Sequence, residues 1–348
     1  MKRFALTVLV FLTVFSSAQA ISIPFIGKKR PIDISPAEQT ELARPIYERA
    51  LDAEQRGRVR SAIRGYNKIF KKYPASDYSA QSLYSIGTLQ YKRKKWKKSF
   101  SAFQTILIRH PDFPRFNELV EYQFRIALAH AEGDGIRFLF VFPSTARNAS
   151  ISYFEIVIRN APYSELAPLA LMNVALLHQH EGNTVLAIDA LDRLINNYPG
   201  SLLADDAYLS LAETYADLVQ GPMYDQGATR EAISYFEDFL ILFAENEKVR
   251  RAEDGLAQME DVYARSKLVI GQYYFKYRRW YQAAEIFFNE AITTAPDSPA
   301  ADTARAYLAQ IETIRANYTP PTPRDPADAQ KEKSFIGRLM NRFIGKKK

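Results

Sequence analysis

Cysteine is absent from all 348 residues. That excludes disulfides, thiolate zinc sites, iron–sulfur clusters and cysteine nucleophiles within the chain. Histidine is scarce: His110, His130, His178 and His180 are the only four. His178 and His180 are two apart, so on a helix they diverge by about 200° and are badly placed to share a metal. No G-x-G-x-x-G, Walker loop, G-x-S-x-G or H-E-x-x-H occurs. Beyond the first twenty residues no apolar run reaches the roughly 20 residues that a bilayer span requires. Acids such as Glu38 and the pair Asp205-Asp206 suit helix starts and exposed faces. The expectation is a chain without catalytic machinery, metal or cofactor.

What the chain does have is charge at its ends. Lysine and arginine exceed aspartate and glutamate by seven. Residues 1–30 carry +5 and residues 331–348 carry +6, which leaves −4 for everything between. A mildly acidic body argues against a nucleic-acid surface.

The first twenty residues follow an export pattern. Lys2 and Arg3 precede the apolar run Phe4–Phe15, and Ser16-Ser17-Ala18-Gln19-Ala20 supplies an A-x-A cleavage site. This reads as a secretory signal cleaved after Ala20. An N-terminal anchor is the alternative, for which the run is short. Cleavage leaves the basic segment 28–30 near the new N-terminus, in a linker over 21–36. The expected location is the periplasm, peripheral to the outer membrane. A bacterial lipoprotein would need a cysteine at its processing site.

A repeat runs through the body. Six segments place a small residue, a large one four later, an apolar one four after that, and then a stop. They are Ala62-Tyr66-Phe70-Pro74, Ser99-Phe103-Leu107-Pro111, Ser150-Phe154-Ile158-Pro162, Ala187-Leu191-Ile195-Pro199, Ala232-Phe236-Leu240-Ala244 and Ala284-Phe288-Ile292-Pro296. Four-residue spacing puts these side chains on one helix face. The small residue lets a neighbouring helix approach, and the large one fills the groove beside it. Proline ends the helix for want of an N–H. His110 precedes its Pro where other repeats have Tyr73, Tyr198 and Phe243, which points to packing. The stops are 37, 51, 37, 45 and 52 residues apart. Inserts over Glu132–Ala146 and Gln220–Ala228 absorb part of the excess, and a helix extended from about Arg250 absorbs more. Ser298–Asn317 reads as a closing helix, followed by a Pro-rich linker to about residue 330.

This pattern resembles the tetratricopeptide family, whose 34-residue unit has the same small–large–Pro order. Leu83, Ile86 and Gly87 stand where that motif has Trp, Leu and Gly, and Tyr91 stands one residue late for its Tyr. The expected fold is all-α: a right-handed solenoid of about six tetratricopeptide-like hairpins over 37–318, plus a capping helix.

Three other features attract attention. The run Lys92-Arg93-Lys94-Lys95-Trp96-Lys97-Lys98 falls in the turn of the second repeat. It reads either as a solvated loop or as a surface for an acidic partner or lipid headgroups, with Tyr91, Lys94, Lys95 and Trp96 as contacts. The insert Ile136–Pro143 is too apolar to lie bare, so it folds back or docks to a partner. The tail over 331–348 carries Phe335, Ile336, Leu339, Met340, Phe343 and Ile344 on one stripe, with Lys346 and Lys347 beside it. That suits an amphipathic helix docking on an anionic membrane surface or a partner, against the alternative of a solubilising tail. Phe25-Ile26-Gly27-Lys28 and Phe343-Ile344-Gly345-Lys346 repeat one motif at both ends.

Within 150–315 a narrower resemblance emerges. DQGATREAISYFEDFL at 225–240 and YARSKLVIGQYYFKYRRWYQAA at 263–284 are similar to the BamD family of outer-membrane assembly lipoproteins. The resemblance implies a periplasmic, non-catalytic helical scaffold. Its implied partners are a BamA-type outer-membrane barrel protein and unfolded outer-membrane proteins. Carried over, Tyr277, Arg278, Arg279 and Trp280 become the candidate partner contact, while core packing is the competing role for Trp280. Three features depart from the family: no lipobox cysteine, two extra leading repeats and a different C-terminal end. The alternative expectation is a repeat adaptor for cell-wall synthesis, division or polysaccharide export; an enzyme is the remaining class.

Overall fold

The computed structural model describes residues 34–131 and 144–317. The expected signal segment, the insert 136–143 and the tail lie outside these residues. Within them the chain is all-α. Contacts divide it into a unit up to Leu203 and a unit from Ala204.

The first unit holds four helical hairpins: α1 (Pro36–Gln55) with α2 (Val59–Lys72), α3 (Tyr78–Lys92) with α4 (Trp96–Arg109), α5 (Phe116–Ala131) with α6 (Ser144–Asn160), and α7 (Leu166–His180) with α8 (Thr184–Asn197). The second unit holds α9 (Ala204–Ala216) with α10 (Gly227–Leu242), and α11 (Val249–Tyr273) with α12 (Tyr281–Thr294). A π-helical turn, Tyr274–Arg278, prolongs α11, and α13 (Pro299–Ala316) closes on α11 and α12. The six hairpins and the closing helix are the expected tetratricopeptide-type architecture. Both inserts are shorter than the sequence suggests, because Ser144–Ala146 belongs to α6 and Gly227-Ala228 opens α10.

The six sequence segments are the second helices of the six hairpins. Their small residues and the large ones four later are all at most 2 % exposed. In the second hairpin the Phe103 ring packs on Gly87, where an added Cβ would come within 2.3 Å of a ring carbon. The Ser99 hydroxyl donates to the Gly87 carbonyl at 2.8 Å, and Ser150 does the same to Ala127 at 2.7 Å. A serine at the small position is thus buried with its polar group satisfied.

The third position of the pattern is buried at Ile158 and Ile195 but needs correction in the other four segments. Phe70, Leu107, Leu240 and Ile292 are only half-buried. The residues just before, Ile69, Ile106, Val157, Leu194, Phe239 and Ala291, are fully buried in all six helices. Seven residues of α-helix fall about 20° short of two turns, whereas eight overshoot by about 80°. The buried stripe therefore follows steps of four and then three.

Proline is also not the whole stop. Tyr73, His110, Tyr198 and Ala295, which precede prolines, have φ of −130°, −134°, −134° and −140°. Phe243 precedes Ala244 and still adopts −128°. In every hairpin the third residue after this cap donates its N–H back to the cap carbonyl, as Ser76 does to Tyr73 at 3.1 Å and Asn246 to Phe243 at 2.9 Å. That local turn, reinforced by Pro where present, ends the helix.

Polar side chains join neighbouring helices. Gln104 on α4 accepts from Gln123 on α5 at 2.6 Å and from Asn160 on α6 at 2.7 Å, while Asn160 also donates to Gln123 at 2.9 Å. The ring of amides is closed, so its burial leaves no orphaned partner within the ring. Arg193 forks onto Glu155 at 2.8 and 3.1 Å, tying α8 to α6.

Candidate functional site

The turn inside a hairpin needs one residue with positive φ. Gly57 supplies it in the first hairpin at +70° and Gly182 in the fourth at +73°. After it the next N–H reaches back five residues, from Arg58 to Ala53 at 2.8 Å and from Asn183 to His178 at 2.9 Å. This is the left-handed C-terminal cap that favours glycine. Two hairpins put a bulky cation there instead. Lys94 has φ +53° and Arg279 has φ +51°, the only non-glycine residues with positive φ among the described residues. Lys95 donates to Gln90 at 2.9 Å in the same way. Trp280 donates to Tyr274 at 3.1 Å across one residue more, which the π-helical turn accommodates. An L-residue held in this region stores about 1 kcal/mol or more of strain, and such strain concentrates at functional sites.

The sixth-hairpin turn is the more open. Tyr277 is 77 % exposed and Trp280 is 57 % exposed, so Trp280 is not core. Lys276, Arg278 and Arg279 are exposed as well. Beneath them the rings are ordered. Tyr274 meets Trp280 edge-on at 5.8 Å and stacks on Phe287 at 5.6 Å. Tyr273, half-exposed, contacts both Tyr274 and Tyr277. Lys276 lies 5.6 Å from the Tyr307 ring of α13. The structure thus brings Tyr277, Arg278, Arg279 and Trp280 to one solvent-facing turn beside Tyr273, and adds Lys276, which sequence reasoning left out. Large aromatic and cationic side chains on a preorganised turn are the composition of a protein-recognition surface.

The second-hairpin turn is different. Tyr91 and Trp96 are half-buried in a column of rings: Tyr91 meets Trp96 at 5.2 Å and Tyr122 at 5.0 Å, and Tyr122 stacks on Phe103 at 4.9 Å. The Trp96 indole nitrogen is buried. The aromatics here hold the turn, while Lys92 to Lys95 and Lys97-Lys98 stay exposed.

A cleft of about 590 Å³ in the second unit is lined by Tyr263 and Lys267 of α11 and by Ile286, Asn289, Glu290 and Thr293 of α12. Lys267 is bridged to Glu290 at 2.7 Å and lies 4.9 Å from the Tyr263 ring. Nearby, burial together with Glu237 pushes the Glu260 carboxyl above its ordinary pKa. Burial lowers the pKa values of His110, His130 and His178, with Arg109 adding to the effect at His110. Among the described residues no cluster of three His, Asp or Glu stands ready for a metal. Nor does any helix there have the length and apolarity to cross a membrane.

Helical hairpins with these knobs and turns define a tetratricopeptide-repeat protein, and a tetratricopeptide model matches residues 81–112, the second hairpin. A family model described as an outer membrane lipoprotein, YfiO, matches residues 143–316, half of the chain. The chain belongs to this YfiO family. The outer membrane protein assembly factor BamD of Caulobacter vibrioides is 28 % identical over 129 residues. The match covers 37 % of this chain and 42 % of that protein, so the chain spans less than half the length of this curated relative. A thermophilic tetratricopeptide protein of Thermus thermophilus is 15 % identical over 62 % of this chain and 98 % of its own, at a TM-score of 0.30. A tetratricopeptide protein from Parabacteroides merdae is 13 % identical over 75 % and 96 %, at 0.31. These superpositions are poor, and the hairpin architecture rests on the chain's own helices.

Proposed function

We propose that this protein is a non-catalytic, exported scaffold that binds protein partners during outer-membrane protein assembly, and that the turn Tyr273–Trp280 is its contact for a BamA-type barrel protein. The observation that carries the reading is the exposed, ring-supported aromatic turn inside the family-matched segment. A stack of helices with large side chains locked into its core gives a rigid mount. Exposed Tyr277 and Trp280 supply apolar contact area, and Lys276, Arg278 and Arg279 supply charge for steering.

Crosslinked pull-down from cell envelopes tests this. A BamA-type barrel protein should be recovered with the full chain. The pair Tyr277→Ala and Trp280→Ala should lower recovery at least tenfold, since buried interface aromatics are worth about 2 kcal/mol or more each. No barrel protein under saturating crosslinking would sink the reading. Recovery of peptidoglycan enzymes or export proteins instead would select the adaptor role.

A further inference from the structure

In the first two hairpins of the first unit, charge is sorted by the end of the helices. Helices α1 to α4 alternate in direction and pack in succession, so the α1–α2 and α3–α4 turns leave at one end. That end carries Arg56, Arg58 and Arg60, all exposed. Beside them residues 92–98 place six cations around Trp96 with no acid among them. The turns between hairpins of this unit, residues 73–77, 110–115, 161–165 and 198–203, hold only Asp77, Asp112, Arg115 and Glu165 as charged groups besides His110.

The basic end is only partly neutralised from within. Asp52 answers Arg56 at 2.8 Å and Arg58 at 3.4 Å. Lys92, Arg93, Lys95, Lys97 and Lys98 have no carboxylate partner among the described residues. Lys97 and Lys98 also lie in the first turn of α4, where the helix dipole opposes a cation. At the tip, Lys94 holds the left-handed conformation that hairpins one and four give to glycine. Repulsion, dipole and backbone strain all oppose this arrangement in the free protein. A dense anionic surface would relieve the first two.

We propose that this end, Arg56–Arg60 with Lys92–Lys98, docks the protein onto an anionic bilayer surface through lipid phosphates. The chemistry favours headgroups over an acidic polypeptide. No large apolar side chain is exposed at residues 55–60 or 92–98. A protein interface is built on desolvated anchors, and the aromatics here are spent inside the ring column. Five of the six cations at 92–98 are lysines, mobile point charges suited to a plane of phosphates rather than to forked pairing with carboxylates. Each is worth roughly a fivefold gain in partition onto an anionic membrane. This docking is independent of the aromatic turn in the second unit and of the partner proposed for it.

Vesicle co-sedimentation of the full chain tests it. Wild type should sediment with phosphatidylglycerol–phosphatidylcholine vesicles, not with phosphatidylcholine alone, and should release at high salt. The variant Lys92→Gln, Arg93→Gln, Lys95→Gln, Lys97→Gln and Lys98→Gln, with the C-terminal tail intact, should lose at least tenfold in partition. The milder pair Lys97→Gln and Lys98→Gln, checked for unchanged helicity by circular dichroism, should lose several-fold. Unchanged partition of both variants would overturn the proposal. So would wild type that binds soluble polyglutamate while ignoring the vesicles.

Discussion

The left-handed residue at Arg279 makes a prediction of unusual sign: removing a large side chain from a candidate binding turn should stabilise the fold. Arg279 has φ +51°, and its side chain has no partner among the described residues. Replacing it by glycine removes the Cβ clash, worth about 1–2 kcal/mol, and adds chain entropy to the unfolded state, costing about 0.5–1 kcal/mol. The net gain is roughly 0.5–1 kcal/mol. For a unit of this size that is a rise in Tm of about 1–4 °C. The converse control is Gly182→Ala. Its added Cβ would meet nothing within 4 Å, so only the backbone at φ +73° opposes it. It should cost about 1 kcal/mol with no packing contribution. Calorimetry of both variants, with urea unfolding as a second measure, reads the two signs. If Arg279→Gly lowers Tm, or Gly182→Ala leaves it unchanged, the equivalence of these turns is wrong. The same Arg279→Gly variant should weaken partner recovery despite its greater stability, which separates the loss of a contact from the loss of fold.

Other outcomes follow from the packing. Gly87→Ala should destabilise by about 1–3 kcal/mol, because three Phe103 ring atoms lie within 2.8 Å of the new Cβ; Phe103→Leu in the same chain should recover part of that in chemical denaturation. The Tyr84 hydroxyl, half-buried and donating to Glu118 at 2.5 Å, is pushed up to about 12 by burial and then by that carboxylate. Its folded pKa exceeds the unfolded value, so its contribution is whole below about pH 10 and is lost as pH rises toward about 12. Tyrosinate absorbance should show this late titration, and Tyr84→Phe should flatten the alkaline fall in stability. His130 has the opposite sign: burial holds its folded pKa low, so stability is present above its ordinary pKa and drains as pH falls below it. His130→Gln should remove that part of the acid-side slope in urea titrations, and an unchanged slope would contradict the burial argument.

By itself, the sequence determined the fold class, the number of hairpins and the identity of their core knobs. A helix repeats every 3.6 residues, so a small residue and a large one four later can be recognised six times without any tertiary knowledge. Ala62-Tyr66 through Ala284-Phe288 are such pairs, and all are buried. The left-handed turn position was legible too, in hindsight: Gly57, Lys94, Gly182 and Arg279 each stand five residues before the small residue of their repeat. What remained ambiguous was every question of side versus side. Tyr91-Trp96 and Tyr277-Trp280 are both aromatic pairs in basic turns, and composition treats them alike. Only the packed structure separates them: the Tyr91 pair joins the Phe103–Tyr122 stack, while Tyr277 and Trp280 remain on the outside above Tyr274 and Phe287. The switch from Phe70 to Ile69 as the buried third position, by contrast, follows from the helix period itself, since seven residues nearly complete two turns. Periodicity is a property of one helix and is written along the chain. Exposure is decided by what packs against the helix, and that is a property of the assembled hairpins.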